Sequence, residues 1–277
     1  MFLYRRYVSR RDSTGFSLVE LSIVLVILGL LTGGILAGQS LIRASELRAV
    51  STEYSRYVAA MYGFRDRYFG WPGDITNATS IWGAAATCPG DSTHIGTGTQ
   101  TCNGDGDGNI AYNNANSNEP LRFWQQLANA GLIEGSYNGV EMGTNAWGST
   151  PGTNSPKSKL GGAGWSLLDW NSLGTCCTPI TVASTQLFEG LYHNVLMFGA
   201  STANGTTDTA ILKPEEAWNL DTKLDDGRPG LGKLRVYESA TSCQDAGTSA
   251  TVALAPTANY LLSNSSIACN LIFNTMP

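Results

Sequence analysis

Between Phe16 and Gly38 the chain runs 23 residues, "FSLVELSIVLVILGLLTGGILAG", with Glu20 as its single charge. As a helix rising about 1.5 Å per residue, such a run spans a hydrocarbon core of roughly 30 Å. Arg5, Arg6, Arg10 and Arg11 precede it, so the leader is expected to stay cytoplasmic while the C-terminal bulk crosses. A secretory signal would need a small-residue cleavage site after the apolar stretch, and "ILAGQS" is a weak one. A lipoprotein signal would need Cys where Gln39 stands.

A carboxylate central in a spanning helix costs about 2.5–3.5 kcal/mol by insertion scales, and less near an end. Such a group is expected to have a partner, and the sequence offers none nearby within the helix. A free α-amino group would serve, if cleavage after Gly15 exposed Phe16. The two charges would then meet between neighbouring subunits, which makes Glu20 an assembly device.

"G-F-S-L-V-E" (15–20) behind a short basic leader resembles the processing site of type IV prepilins and type II secretion pseudopilins. The resemblance implies a membrane peptidase that cuts after Gly15 and methylates Phe16, with Glu20 aligning an incoming subunit. Many major pilins carry Pro where this chain has Ala37. Here Gly29, Gly33, Gly34 and Gly38 are the weak points, each costing roughly 1 kcal/mol in a helix interior. Their two G-x-x-x-G spacings equally permit close helix approach. Cleavage behind Gly15 would leave 262 residues, longer than the commonest major pilins, which points to a minor or specialised subunit.

The helical pattern continues past Gly38. Leu41, Leu47, Val50, Tyr54, Tyr57, Val58, Met61, Phe64 and Tyr68 recur at steps of mostly three and four. Arg43, Glu46, Arg48, Glu53 and Arg56 lie largely between them, which reads as a polar face. Gly70 and "WPG" (71–73) end the run. One helix from about Ser17 to Phe69 would be roughly 80 Å long. The expected organisation is a cleaved leader over 1–15 and a membrane or filament-core half-helix over 16–38. A head follows over 39–277, including the amphipathic half-helix 39–69.

In the head, a helix is expected over Pro120–Ala130, capped by Asn118 and ended near Gly131. Leu121, Trp124, Leu127 and Ala128 form its apolar stripe. A short helix is read at 214–225. "WSLLDW" (165–170), "LYHNVLMFG" (191–199), "KLRVYES" (233–239) and "IACNLIFN" (267–274) read as strands. One antiparallel sheet against the long helix gives an α+β, pilin-like head with long disulfide-stapled loops.

The chain carries a net charge of −5, and removal of the four arginines and one aspartate of 1–15 takes it to −8. That disfavours general nucleic-acid binding, although "GRPGLGKLR" (227–235) is a small basic loop. Six cysteines lack C-x-x-C spacing, and only two histidines are present. Disulfides in an oxidising compartment fit better than zinc. Nearest-neighbour closure suggests Cys88–Cys102 and Cys243–Cys269. Cys176 and Cys177 are adjacent and either bridge each other or serve other partners.

"NGDGDGNIA" (103–111) places Asn103, Asp105, Asp107 and Asn109 at EF-hand-like positions, with Gly108 sixth and Ile110 eighth. Asn114 stands twelfth where a bidentate Glu is expected, and Glu119 would close the site only by a different loop path. The alternatives are a partial calcium site and a solvated Gly/Asp turn. Asp221, Asp225 and Asp226 mark a second acidic junction, where a helix end with left-handed Gly227 is the better reading. The resemblance makes calcium plausible there, since some pilin-like proteins hold it in a late loop.

No nucleophile elbow, zincin helix, Walker loop or dinucleotide fingerprint occurs. His193 reads as a packed or edge residue and His94 as an exposed loop residue. Most of the seven tryptophans read as core. The expected protein is a non-enzymatic filament subunit, anchored in the inner membrane with its head in the periplasm before assembly. Its expected partners are other pilin subunits, the prepilin peptidase and the inner-membrane assembly platform. The alternatives are a type II secretion pseudopilin and a calcium-dependent adhesive subunit displayed on the filament.

Overall fold

The computed structural model describes residues 15, 17–86, 88, 98–110, 112–113, 117–140, 148–169, 188, 192–201, 206–237, 242–246 and 257–274. The chain divides into two compact units, Met1–Ser45 and Glu46–Pro277. Helix α1, Leu18–Tyr68, supplies the described part of the first unit after Ser17 and enters the second. The other elements are α2 (Ala78–Trp82), β1 (Tyr112–Asn113), β2 (Ser117–Asn118), α3 (Glu119–Asn129), β3 (Ala163–Leu168), β4 (Val195–Ala200), α4 (Pro214–Leu224), β5 (Leu234–Val236) and β6 (Leu271–Phe273).

Within the second unit, α1 buries Val50, Glu53, Tyr57, Ala60, Met61 and Phe64. Those steps of three and four put all six on one face. Glu53 corrects the sequence reading: it lies on the buried stripe and is only 5% exposed. Its carboxylate accepts bonds from Ser158 Oγ (2.7 Å), the Lys159 N–H (2.9 Å) and Trp165 Nε1 (2.8 Å). Three donors make burial of the charge tolerable.

The sheet has the order β3-β4-β6-β5, antiparallel throughout, with Trp165 opposite Phe198, Met197 opposite Ile272 and Arg235 opposite Ile272. "AGWSLL" and "VLMFGA" are near-continuous apolar runs, buried almost without alternation, so both sheet faces are covered. One face packs on α1. Tyr57 meets Trp165 edge-on at 5.4 Å, and Tyr54 stacks on Phe273 at 4.4 Å. Each such aromatic pair adds about 0.5–1.5 kcal/mol beyond area burial. On the other face Thr207 Oγ1 lies 2.8 Å from Ser166 Oγ and donates to the Met197 carbonyl at 3.0 Å.

Helix α3 is buried from Glu119 to Leu127 and ends as expected at Gly131 (φ 70°). The Leu132 N–H reaches the Leu127 carbonyl (3.0 Å) and the Gly131 N–H that of Ala128 (2.9 Å), which is a Schellman ending. Asn118, the expected cap, directly precedes α3 and is also the last residue of β2. Gln126 stitches two loops to the helix: its Oε1 accepts the Gly73 N–H at 2.7 Å, and its Nε2 donates to the Cys102 carbonyl at 3.1 Å. Strands β4, β5 and β6 are shorter than read from sequence, and β3 keeps six residues but begins two earlier. The backbone bends at His193 and Asn194, with Asn194 at φ 46°, before β4 begins, and Cys269 bridges to Leu212 before β6 begins.

Disulfides join Cys88 to Cys102 and Cys243 to Cys269. Cys176 and Cys177 lie outside the described residues. Trp71, Trp124 and Trp165 are core, Trp82 is half-buried against Phe64 and Tyr68, and Trp218 is 37% exposed. Trp147 and Trp170 lie outside the described residues, as does His94.

Candidate functional site

The N-terminal segment opens at Gly15, which is exposed, and Phe16 lies outside the described residues. Ser17 is not helical, and its carbonyl accepts the first helical bond, from the Leu21 N–H at 3.2 Å. Ser17 Oγ accepts the Val19 N–H at 3.2 Å, and the Ser17 N–H donates to Glu20 Oε2 at 2.8 Å. Ser17 is therefore the N-cap, its hydroxyl taking the second helical N–H, and Glu20, the third helical residue, reaches back to the Ser17 N–H as in the return half of an S-x-x-E capping box. This corrects the expectation that Glu20 has no partner within its own helix.

From Leu21 to Ala37 the helix is uncharged, largely apolar and exposed. Leu18 is 86%, Leu30 73% and Leu36 67% exposed. Its hydroxyls are satisfied internally: Ser22 donates to the Val19 carbonyl, Thr32 to Leu28 and Ser40 to Ala37, at 2.8–2.9 Å. A Cβ built on Gly29, Gly33, Gly34 or Gly38 would meet nothing within 4 Å. The helix passes Ala37 unbroken, and it is long and apolar enough to cross a membrane.

The first acidic loop wraps around a carboxylate that the sequence reading did not single out. Asp74, from the turn after α1, is 4% exposed. Its two oxygens accept the N–H groups of Gly106 (2.8 Å) and Gly108 (3.2 Å). Burial pushes its pKa up against the pull of those two donors. Of the residues expected as calcium ligands, Asp105 joins it: carboxylate oxygens of Asp74, Asp105 and Glu119 lie within 4.8 Å of one another. Asn103 instead turns its Oδ1 to the Thr79 N–H at 2.8 Å, at the start of α2. Asp107 is taken up by Asn109, through its N–H at 2.7 Å and its Nδ2 at 3.2 Å. Asn114 lies outside the described residues. Asn194 ties the loop to β4, accepting the Ile110 N–H at 2.6 Å and donating to the Gly108 carbonyl at 2.9 Å.

At the second junction, oxygens of Asp221, Asp225 and Asp226 also lie within 4.8 Å of one another. Asp221 is fully buried, accepting from Tyr260 Oη (2.8 Å) and the Gly227 N–H (3.1 Å). Burial, with the nearby charges of Asp226 and Asp225 adding to it, pushes its pKa up to about 7. Asp225 accepts the N–H groups of Lys233 and Leu234, and Asp226 that of Arg228. Gly227 has φ 76°, the left-handed residue expected after α4. His193 is half-buried, 3.8 Å from Asp169.

Residues 10–36 match the family model of the prokaryotic N-terminal methylation motif. The chain carries the type IV pilin and pseudopilin signature. No curated protein and no solved structure matches it.

For a pilin-like chain, the motif implies a prepilin peptidase and assembly with other pilin subunits. The apolar helix near the N-terminus, with this motif, fits a membrane-anchored subunit, and the family that bears the motif is structural rather than enzymatic. Gly15 and Glu20 fall inside the matched segment, as does Ser17, which the sequence reading passed over despite its S-x-x-E spacing. Asp74 was passed over as a candidate ligand for a different reason, and Glu119 was weighed only as closing the loop by another path. They reach one cluster from elements 45 residues apart, and no local pattern announces that.

Proposed function

We propose that the chain is a minor or specialised subunit of a type IV pilus or related filament. It is made as a prepilin, cut behind Gly15, methylated at Phe16 and held in the inner membrane by residues 16–38. Helix packing and the attraction between Glu20 and a neighbouring amino terminus draw it into the filament. The observation that carries this reading is the single carboxylate in the otherwise uncharged, apolar run 16–38, inside the matched motif. The 262 residues left by cleavage support a specialised rather than a bulk role. The test is to express the chain with an active peptidase and assembly machinery, shear the cells and probe the filament fraction for the head. The chain is expected there; a chain confined to the membrane fraction contradicts assembly.

A second reading is a calcium-dependent binding subunit displayed on the same filament. It is supported by the convergence of Asp74, Asp105 and Glu119, whose hard carboxylate oxygens suit calcium. Two of the three carboxylates, Asp74 and Glu119, are buried, and a cation offsets the repulsion of like charges gathered this way. In this reading Asp74, Asp105 and Glu119 hold the ion and Asn194 holds the loop.

A further inference from the structure

Helix α1 ends on a backbone outlier. The Phe69 N–H makes the last helical bond, to the Arg65 carbonyl at 2.8 Å, and Phe69 itself stands at φ 60°. That left-handed place at a helix end ordinarily falls to glycine, and a bulky side chain there is strained. Glycine comes one position later for a different reason: a Cβ on Gly70 would lie 2.6 Å from Ile75 Cγ2. The Phe69 side chain is 94% exposed, so its ring neither fills a core nor eases the turn. Strain of this kind gathers at ligand clamps.

Phe69 borders a cavity of about 290 Å³, small for a ligand site, together with Tyr68, Asp74, Thr76, Asn77 and Gly106. Tyr68 is fixed by Phe64 and Trp82, with ring centroids 4.5 and 5.2 Å away. Asn77 precedes α2 but caps none of its N–H groups; Asn103 takes the Thr79 N–H instead, at 2.8 Å. The Asn77 side chain, like that of Thr76 beside it, is exposed. Asp74 accepts one N–H on each oxygen, and a carboxylate accepts about four bonds. Among the described residues no Lys, Arg or His lines the cavity, and its carboxylate repels anions. A cation is disfavoured as well, since Tyr68 already carries Arg67, whose guanidinium carbon is 5.2 Å from the ring centroid. What fits is small and neutral, with an apolar face for the aromatic ring and hydroxyls for the amide, the threonine and the carboxylate.

We propose that this cavity binds one pyranose ring of a neutral sugar. The Phe69 ring stacks on the C–H face of the sugar, whose slightly positive hydrogens meet the negative face of the aromatic ring, and Thr76, Asn77 and Asp74 hold its hydroxyls. The site uses no cation and does not depend on the pilin-like reading.

The test uses the full chain in phospholipid nanodiscs, unchanged and as Phe69→Gly, Phe69→Tyr and Asn77→Ala, first with a chelator and then with calcium. The probes are the methyl pyranosides of glucose, galactose, mannose and N-acetylglucosamine, each also offered within its linear trisaccharide. Galacturonic acid and tetramethylammonium are the charged probes, and saturation-transfer NMR is the readout. At least one neutral pyranoside is expected to take up saturation through its ring C–H protons with the chelator present. Tighter binding of its trisaccharide makes a polymer the source, and equal binding a free sugar. Asn77→Ala is expected to weaken binding about fivefold, the loss of one net hydrogen bond. Phe69→Gly abolishes it with the unfolding midpoint unchanged, because glycine adopts this φ freely, and Phe69→Tyr retains it. Binding of no neutral sugar, preference for either charged probe, undiminished binding by Phe69→Gly or destabilisation of that chain overturns the proposal. A signal that appears only with calcium overturns it too, and leaves the calcium reading standing.

Discussion

Glu53 Oε2 accepts a hydrogen bond from Trp165 Nε1 at 2.8 Å, joining the second half of α1 to the first strand of the sheet across 112 residues of sequence. The same oxygen takes the Ser158 hydroxyl, and Oε1 takes the Lys159 N–H. One buried carboxylate thus fixes the strand, the loop before it and the helix in a single register.

Glu53→Ala leaves two buried donors, Ser158 Oγ and Trp165 Nε1, and the part-buried Lys159 N–H without their acceptor, and the expected loss is about 3–5 kcal/mol. Glu53→Gln keeps an acceptor but turns an NH2 group toward donors, and is expected to lose less. Denaturant unfolding followed by tryptophan fluorescence checks both. A Glu53→Ala chain as stable as the original would contradict the role given to this contact.

The Asp221 carboxyl, fully buried beside Tyr260, Asp225 and Asp226, holds its proton up to about pH 7 in the folded chain. In the unfolded chain it ionises in the ordinary carboxylate range. Between those two values the folded state binds the extra proton, so this group's contribution is full in acid and declines as pH rises toward 7. Asp221→Asn is expected to flatten that slope. Unfolding midpoints between pH 4 and 8 for both chains check it.

Much of the second unit is legible in the sequence, because apolar spacing is a local property. The stripe from Val50 to Phe64, the Schellman glycine Gly131 and the strand "VLMFG" follow from periodicity and turn chemistry. Glu53 lies on the same stripe by spacing, yet its charge argues for solvent until Trp165 and Ser158 arrive from a hundred residues away. The acidic loop shows the same limit. Alternating Asp and Gly announces a tight turn, but the carboxylate it encloses, Asp74, comes from "WPGD". Ser17 differs, since its capping box is written within four residues. It goes unread when a partner for Glu20 is sought only in another subunit.

Reduction of the Cys243–Cys269 bridge, which closes a separation of 26 residues, is expected to cost about 2–5 kcal/mol. Cys243→Ser measured by thermal unfolding checks this. Cys88 and Cys102 are expected to resist alkylation in the folded, unreduced chain.

If the Asp74, Asp105 and Glu119 cluster holds calcium, added calcium raises the unfolding temperature and a chelator reverses it. Ligand at about a hundred times its dissociation constant stabilises by roughly 2.7 kcal/mol. Glu119→Gln is expected to abolish the response, whereas Asp226→Asn leaves it intact. A response lost instead with Asp226→Asn moves the ion to the second junction.

The most direct test of the central claim is the mass of the N-terminus in protein taken from its native membrane or from sheared filaments. The account predicts a chain beginning at N-methylated Phe16. A chain beginning at Met1, made beside an active prepilin peptidase, would contradict it.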